Sequence, residues 1–570
     1  MPYTYTSMTQ VQYAASLIPS PPVTTYMPLR SMQAILPSGA RTTSWARDCS
    51  ANDHDDPYGQ AEWNSRWDPF YPNVTISTFP ISTTVKPTPI PSSSLLLPPD
   101  SGFAYKPANH KNPTFPPDFI FGAASAAAQI EGAIQAEGRT PSVADYFFNF
   151  QPQLYENNYI TDWNYYLYKE DIARMAAIGL QYYSFSISWN RILPFGAAGT
   201  PINKEGVEHY NDLINTCLEY GIKPMVTMVH EDEPYEFIMG EPVLENAYFS
   251  RNAGASNSTF VESFVNYAKV LFANFGDRVP IWITINEAIY DAGNLDGLYN
   301  LLEAHTQIYD IYKAYGGKGK ISHKMSGTFA APMNPNNQSD VEAANRYQDF
   351  LLGILANPQW LGIDIPESVS STLTNDSHPL TKKQLARYKG KCDFYGIDAY
   401  TASIVTQPPE GIDACAKNPS NPLWPTCVVQ TTVTGTDWQL GFYSDSYPFI
   451  TPTYFRAYMN WLWDTYHPNA IMMTEFGFPV SLERDLTLDM QRNDLPRSLY
   501  YESYLTEMLN LIHEDGVNMI GAIAWTMLDN WEWGSFDPHF GMQAVNRTTM
   551  ERTYKRSFFD YVEYFHAHGL

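Results

Sequence analysis

The sequence predicts an α/β fold, a (β/α)8 TIM barrel that follows a Pro/Ser/Thr-rich N-terminal extension. Two observations predict the barrel. Eight short apolar runs alternate with helical patterns from Phe115 onward. Two of these runs lead directly into a glutamate, and the ends of the strands are where a parallel barrel presents its functional side chains. The alternation indicates repeated βα units closed by parallel pairing.

The candidate strands are residues 119–124, 182–187, 224–228, 281–286, 324–330, 393–398, 470–475 and 520–525. Helical patterns lie between them, for example at 164–178, 204–220, 260–275 and 499–514. A doubly wound open sheet is the alternative fold. No Gly-x-Gly-x-x-Gly turn follows an early strand, and this counts against the open sheet.

Residues 1–112 differ in composition from the rest of the chain. They are rich in Pro, Ser, Thr and Tyr, as in Lys86-Pro87-Thr88-Pro89-Ile90-Pro91. Such a segment buries too little apolar surface to offset the entropy that ordering costs. We therefore predict a disordered or polyproline-like extension at 1–112 and the barrel domain at 113–570.

The charge balance narrows the class of ligand. The 570 residues carry a formal net charge of −25, which disfavours nucleic acid and anionic membrane surfaces. No apolar run is long enough to cross a bilayer. A neutral, sugar-like small molecule is compatible with this charge. No residue pattern implies a metal or nucleotide cofactor, and none points to a particular oligomeric state.

The cysteines and glycosylation sequons bear on location. Cys415 and Cys427 flank a Pro/Asn-rich loop and are expected to bridge in an oxidising compartment, whereas Cys217 and Cys392 are expected to be buried thiols. Asn-x-Ser/Thr sequons begin at Asn73, Asn257, Asn337, Asn375 and Asn546. Together these features favour a secreted glycoprotein. Residues 1–25 lack a cationic start and a continuous apolar core, so a cytoplasmic location is the alternative.

Two acids end apolar runs and are the first candidates for catalysis. Glu287 follows Trp282-Ile283-Thr284-Ile285-Asn286, and Glu475 follows Ile471-Met472-Met473-Thr474. In a parallel barrel, acids placed this way face one active site. Two carboxyl groups from different strands are the minimum apparatus for cleaving a glycosidic bond, because one protonates the leaving oxygen while the other attacks the sugar or activates water.

Several ordered motifs strengthen this interpretation. They are Phe115-Pro116-Pro117-Asp118-Phe119, Gln129-Ile130-Glu131-Gly132, Phe185-Ser186-Ile187-Ser188-Trp189-Asn190-Arg191, Thr284-Ile285-Asn286-Glu287, Thr474-Glu475 and Trp525-Thr526-Met527-Leu528-Asp529-Asn530-Trp531-Glu532-Trp533. With these motifs, the chain resembles glycoside hydrolase family one, the β-glucosidase family, over residues 115–565. The resemblance implies a TIM barrel and a retaining β-glycosidase, most simply a β-glucosidase.

The resemblance also implies a role for each matched residue. Glu475 would be the nucleophile, and Glu287 would be the general acid and then the base. Tyr400 would donate a hydrogen bond to Glu475, and Trp525 would form a platform under the sugar ring. The remaining matched residues would bind sugar hydroxyl groups: Gln129, His230, Asn286, Glu532 and Trp533. An acid at position 532 would repel a phosphate, so we expect a non-phosphorylated β-glucoside or β-galactoside as substrate.

Five positions depart from the family pattern. Ser184 stands where an arginine is usual, Glu231 replaces a tryptophan, Asp398 replaces an asparagine, and Ala288 and Phe476 follow the two catalytic glutamates in place of the usual proline and asparagine. The changes at 184 and 231 both make the pocket more negative.

The change at Ser184 removes a positive charge that would favour the ionised nucleophile. We therefore expect the acidic limb of the pH–rate profile to lie at higher pH than in relatives that keep the arginine, unless Arg191 or Arg139 supplies the charge. The alternatives to an active hydrolase are a catalytically impaired carbohydrate-binding barrel and a transglycosidase.

Overall fold

The structure, a computed structural model, describes residues 8–14, 16–17, 25–36, 39–46, 50–70, 76–99, 113–149, 152–239, 253–291, 294–374 and 377–570. Within them a parallel sheet curls into the predicted (β/α)8 barrel. Its strands are β1 (Ile120–Ser125), β2 (Tyr182–Ser186), β3 (Lys223–Val229), β4 (Ile281–Ile285), β5a (Lys320–Ser322), β5b (Lys324–Pro332), β6 (Tyr395–Thr406), β7 (Ile471–Phe476) and β8 (Met519–Ala524).

Each strand pairs in parallel with its neighbour along the chain, and β8 returns to pair with β1. The fifth strand is interrupted at His323. Its first part, β5a, pairs with β4, and its second part, β5b, pairs with β6, which in turn pairs with β7. The eight predicted strands all exist, and the barrel prediction is confirmed.

Long helices cover the outside of the barrel. They are α1 (Asn164–Ile178), α2 (Lys204–Glu219), α3 (Phe260–Phe275), α4 (Leu295–Ala314), α5 (Gln338–Gln348), α6 (Pro452–Tyr466), α7 (Leu495–Asn510) and α8 (Arg556–Ala567). Helix α1 ends at Gly179, whose φ of 94° is accessible to glycine without strain. Helix α7 begins four residues before the predicted start because Pro496 lies in its first turn, where a missing N–H costs nothing.

Side chains alternate between two cores along each strand. Ile120, Met225, Ile283 and Met472 fill the barrel interior, and Tyr182 of β2 packs against them. The side chains between them, such as Tyr183 and Phe185 on β2, belong to the layer beneath the helices. Because neighbouring strand residues point to opposite faces, Ser184 faces the barrel interior, as Tyr182 does.

The described parts of the extension differ from the predicted disorder. Helix Gln60–Ser65 and the turn after it bury Trp63, Trp67 and Phe70 in one aromatic cluster, which also contains Phe195 from the loop after β2. The Trp63 indole Nε1 donates to the carbonyl of Gly138 at 2.9 Å.

The physical reason is local. Composition averaged over 112 residues hides clustered aromatics, which bury 150–250 Å² or so each. A second helix, Leu29–Ile35, buries Met32 and Ile35 against the main core. Residues Thr42–Thr43 also pair with Ile202–Asn203 of the barrel domain.

The cysteines behave as expected where they are described. Cys415 and Cys427 form a disulfide, and Cys217 and Cys392 are buried free thiols. The sequons at Asn73 and Asn375 lie outside the described residues, as does Cys49. None of the described helices combines the length and the apolarity that a bilayer crossing needs.

Candidate active site

The C-terminal ends of the barrel strands surround a cavity of about 380 Å³. It is lined by His230, Glu231, Glu287, Tyr290, Ser326, Gly327, Thr328, Asp398, Tyr400, Tyr447, Glu475, Trp525, Glu532 and Trp533. These residues lie within or after β3, β4, β5b, β6, β7 and β8, and Tyr447 comes from the long segment between β6 and β7. The site therefore occupies the position at which TIM-barrel enzymes place their chemistry.

Glu475 is held at both carboxylate oxygens. It lies near the end of β7 and is 3% exposed. The Tyr400 hydroxyl of β6 donates to Oε2 at 2.9 Å, and the Lys324 ammonium of β5b forms an ion pair with Oε1. Two donors from two different strands therefore fix the carboxylate, as a nucleophile that must attack one carbon atom requires.

Glu287 lies directly after β4 on the same cavity. Burial raises the pKa of Glu287 well above its usual value, and the charges of Glu475 and Glu231 raise it further. A general acid must still hold its proton near neutral pH, so this environment suits an acid. Glu475, in contrast, has a cation beside it. The two glutamates thus have the different surroundings that an acid and a nucleophile need.

The cation beside Glu475 is Lys324, and neither arginine considered from the sequence supplies it. Arg191 pairs with Glu131 at 2.6 Å, and Arg139 pairs with Asp145 at 2.6 Å. The expectation of an uncompensated charge loss at Ser184 is therefore corrected: a positive charge is present but comes from β5b. One weak signal of it is visible in the sequence, a lysine that opens an otherwise uncharged strand.

His230 lies between two indole rings. Its ring centroid is 5.6 Å from that of Trp525 and 5.8 Å from that of Trp533, with interplanar angles of 23° in both pairs. Burial lowers the pKa of His230 well below its usual value, and the charge of Lys324 adds to this effect. The imidazole is therefore neutral, and as oriented here the Asn286 amide Nδ2 donates to its Nε2 at 3.2 Å.

Two buried amides present oxygens to the site. Gln129 donates from Nε2 to Glu532 at 3.0 Å, which leaves its Oε1 without a hydrogen-bond partner among the described residues. Asn286 Oδ1 also lacks a hydrogen-bond partner among the described residues. Burial raises the pKa of Glu532 to about 8. Buried acceptors that lack donors favour a ligand rich in hydroxyl groups.

Two of the departures from the family pattern add acids to the cavity. Burial, together with Glu233 and Glu475, raises the pKa of Glu231 to about 8. Burial and the charge of Glu475 raise the pKa of Asp398 well above its usual value, while Asp398 accepts a hydrogen bond from the Thr474 hydroxyl at 2.7 Å. A protonated Asp398 is neutral, as the asparagine it replaces would be.

The structure brings the nine candidate residues together. Seven of them line the cavity directly, and Gln129 and Asn286 reach it through Glu532 and His230. Their individual roles with substrate stay predictions. Lys324, which contacts Glu475, is the site residue that the sequence analysis did not identify.

Two side-chain clusters elsewhere have metal-ligand composition among the described residues. In the first, His305, His323 and Cys392, both nitrogens of His305 are engaged, by the Thr284 hydroxyl and by the Lys391 carbonyl at 2.7 Å each. In the second, Glu483, Asp529 and His539, the ammonium of Lys555 already lies 2.6 Å from Glu483 and 2.7 Å from Asp529.

Comparison with known proteins agrees with this geometry. The family described as glycosyl hydrolase family 1 matches residues 111–570. Beta-glucosidase 34 of Oryza sativa is 32% identical over 480 residues, 78% of this chain and 91% of that protein. Raucaffricine-O-beta-D-glucosidase of Rauvolfia serpentina is 32% identical over 76% of this chain and 87% of its own length.

Solved structures give the same result. The beta-glucosidase of Trichoderma harzianum superposes with a TM-score of 0.73 and 30% identity, covering 80% of this chain and 99% of that one. A beta-glucosidase of Humicola insolens, solved in complex with glucose, gives 0.72 and 28%, covering 80% and 98%. The barrel, the paired glutamates and these matches lead to one conclusion: this chain belongs to glycosyl hydrolase family 1.

Proposed function

We propose that the protein hydrolyses non-phosphorylated β-glucosides by double displacement, with Glu475 as nucleophile and Glu287 as general acid and base. The observation that carries the proposal is the contrast between the two glutamates. Glu475 is bound by Tyr400 and Lys324, whereas burial and neighbouring charge raise the pKa of Glu287. Retention needs this pairing of an ionised and a protonated carboxyl group about 5–5.5 Å apart.

The first displacement forms a glycosyl-enzyme ester. A carboxylate oxygen of Glu475 attacks the anomeric carbon, the bond to the leaving oxygen breaks, and the proton of Glu287 moves to that oxygen. In the second step Glu287, now ionised, takes a proton from water. The resulting hydroxide attacks the anomeric carbon and releases the Glu475 carboxylate, so the configuration is retained.

The glycone is expected to satisfy the buried acceptors. Sugar hydroxyls would donate to Gln129 Oε1, Asn286 Oδ1 and Glu532, while Trp525 offers its ring face to the C–H face of the sugar. An acid at Glu532 opposes a phosphate on the sugar. The relatives, whose names specify β-glucosidases, support glucose as the glycone.

A panel of aryl β-glycosides on the purified protein tests this function. We expect turnover of the β-glucoside, with the β-anomer of glucose released first, and a loss of roughly 10⁴-fold or more in Glu475→Gln. Glu287→Gln should slow poor leaving groups far more than activated ones, since only the former need a proton. Glu208→Gln, an exposed glutamate of α2, is the matched control.

Three outcomes would count against the proposal. Absence of turnover with retained sugar binding would favour the impaired carbohydrate-binding barrel. Predominant transfer to an added alcohol would favour a transglycosidase. A kinetic preference for the 6-phospho substrate would contradict the interpretation of Glu532.

We also propose that the protein is a secreted glycoprotein. The Cys415–Cys427 disulfide supports an oxidising compartment, and the sequon residues Asn337 and Asn546 have exposed side chains. Expression in a secreting eukaryotic host should give protein in the medium whose mass falls on treatment with an N-glycan-removing enzyme. Retention inside the cell without glycan would contradict this proposal.

A further inference from the structure

We propose that Lys324 is the positioning residue of the nucleophile: its ammonium, delivered by an interrupted fifth strand, keeps the Glu475 carboxylate ionised and oriented for attack. This inference rests on the proposed function, because it assigns a task within the same site. It adds a residue that the sequence motifs do not identify.

The fifth strand places Lys324 where it can act. The strand breaks at His323, between β5a on β4 and β5b on β6. Met325 lies in the outer core beneath the helices, while Ser326 lines the cavity. Because strand side chains alternate, Lys324 shares the inward face with Ser326. It is 1% exposed and meets Glu475 Oε1 there.

The residue at the break, His323, points in the opposite direction from Lys324. The His323 ring Nε2 lies 2.6 Å from the Gln359 side-chain oxygen, on the helical side of the barrel. The His323 ring therefore points away from the cavity, and the next residue, Lys324, points into it. A lysine at the tip of a regular strand would reach solvent instead.

The charged groups around Glu475 are mostly acids, and this makes the charge of Lys324 important. The titratable groups that face it across the cavity are Glu231, Glu287, Lys324, Asp398, Tyr400, Tyr447 and Glu532. The four other acids oppose ionisation of Glu475 through their negative charge. The tyrosines can only donate a neutral hydrogen bond to it. His230 is neutral. Lys324 is thus the one cation facing Glu475 among the residues that the structure describes.

Lys324 stays charged in this setting. Burial alone would lower the pKa of its ammonium, but the negative charge beside it, chiefly that of Glu475, outweighs burial and raises that pKa above its usual value. An opposite charge in contact favours the ionised form of a carboxyl group by one to three pH units or so. Lys324 therefore presents a lasting positive charge to the Glu475 carboxylate.

A purely structural ion pair is the competing explanation, and the two differ in what substitution changes. A structural role predicts lower stability with an unchanged pH profile. A positioning role predicts a slower covalent step, a shifted acidic limb and a nearly constant KM, because substrate contacts are untouched.

The test uses Lys324→Met, Lys324→Gln, Lys324→Arg and the double variant Lys324→Met/Ser184→Arg, which returns a cation to the barrel interior from β2. The probe is a cyclitol epoxide. The Glu475 carboxylate opens its ring to form an ester while Glu287 protonates the ring oxygen, and mass spectrometry of the labelled peptide identifies Glu475. Hydrolysis of an aryl β-glucoside gives kcat and KM in parallel.

We expect Lys324→Met to lower kcat by roughly 100-fold or more, with KM changed by no more than a few-fold. The acidic limb of labelling should move up by about one to three pH units. Lys324→Arg should keep the limb near that of the natural protein. The double variant should recover part of both losses.

A folded Lys324→Met or Lys324→Gln whose labelling shows an unmoved acidic limb would overturn the inference. If Lys324→Met does not fold, Lys324→Gln and the double variant decide by the same criterion. If the protein does not hydrolyse glycosides but its labelling by the epoxide still depends on Lys324, the proposed function is contradicted and this inference is supported. An unmodified Glu475 in the natural protein would overturn both.

Discussion

Five carboxyl groups line one small cavity, and their neighbouring side chains give them different electrostatic surroundings. Glu475 has a lysine and a tyrosine as partners. Glu287, Asp398, Glu231 and Glu532 have raised pKa values, chiefly because they are buried. A carboxylate with a cation beside it, among acids whose protonated form burial favours, is the arrangement that the proposed retaining mechanism needs.

Glu231 is expected to act on Glu287, the proposed general acid. Its charge is one of the causes that raise the pKa of Glu287. Removing that charge in Glu231→Gln lowers this pKa, so Glu287 loses its proton at lower pH. The alkaline limb of kcat/KM should therefore move down by roughly 0.5–1 pH unit.

Glu208→Gln, which removes an exposed acid of α2, is the control and should leave that limb in place. An alkaline limb that stays fixed or moves up in Glu231→Gln would mean that the carboxyl group at 231 does not act on Glu287.

Tyr400 donates one hydrogen bond of 2.9 Å to Oε2 of Glu475, the proposed nucleophile. A hydrogen bond to a charged group contributes about 1.5–3 kcal/mol. Tyr400→Phe should therefore reduce kcat by roughly 10- to 150-fold, with KM little changed. Steady-state kinetics on an aryl β-glucoside measures both values.

Tyr443→Phe, at a tyrosine that is 60% exposed, is the matched control. Equal kcat values in the two variants would show that the bond to Tyr400 is dispensable for orienting Glu475.

At the scale of elements, the periodic pattern predicted the strands well because each barrel strand is a short apolar run. It located Glu287 and Glu475 at strand ends, which follows from where those runs stop. It did not predict the interruption at His323. The His323 ring at that break contacts Gln359, and a single strand's pattern contains no information about such a distant partner.

Lys324 was not predicted as a site residue for the same reason, because its partner lies on a distant strand. Lys324 opened a predicted strand, and a lysine at a strand end is normally exposed. Only the curvature of the closed barrel brings β5b and β7 to the same cavity. The family comparison pointed to Ser184 as a missing charge, but a position-by-position comparison cannot show a charge that arrives from another strand.

The N-terminal helix Gln60–Ser65 is an integral part of the packing, and one substitution measures how much. Trp63 is 1% exposed, belongs to one cluster with Phe195 and Ile134, and donates to the Gly138 carbonyl. Trp63→Ala should lower the free energy of unfolding by about 3–5 kcal/mol. Trp438→Ala, at a tryptophan that is 76% exposed, should change it by less than about 0.5 kcal/mol.

Chemical denaturation of the full chain gives both values. Equal midpoints for the Trp63 and Trp438 variants would mean that this helix does not stabilise the barrel, as the composition of the extension alone had suggested.

At the scale of the whole molecule, the charge of −25 acts on every approaching ligand. The 60 acidic side chains outnumber the 35 basic ones. A field of one sign speeds the approach of cations and slows that of anions, and salt screens it over about 10 Å at 0.1 M. Neutral glycosides pass through this field unaffected, which agrees with a cavity built from hydroxyl acceptors.

An experiment with salt can distinguish the effect of the surface charge on substrate approach from the chemistry in the cavity. Two aryl β-glucosides are compared, one with a neutral leaving group and one with a carboxylate on the aryl ring. Raising the ionic strength from about 0.01 M to about 0.15 M shortens the screening length from roughly 30 Å to roughly 8 Å. We expect kcat/KM for the anionic substrate to rise several-fold, because salt weakens its repulsion, while kcat/KM for the neutral one stays constant. A parallel rise for both substrates would point to an effect of salt on the fold or on Glu475. Values of kcat/KM that stay constant for both substrates would mean that the surface charge does not reach the cavity mouth.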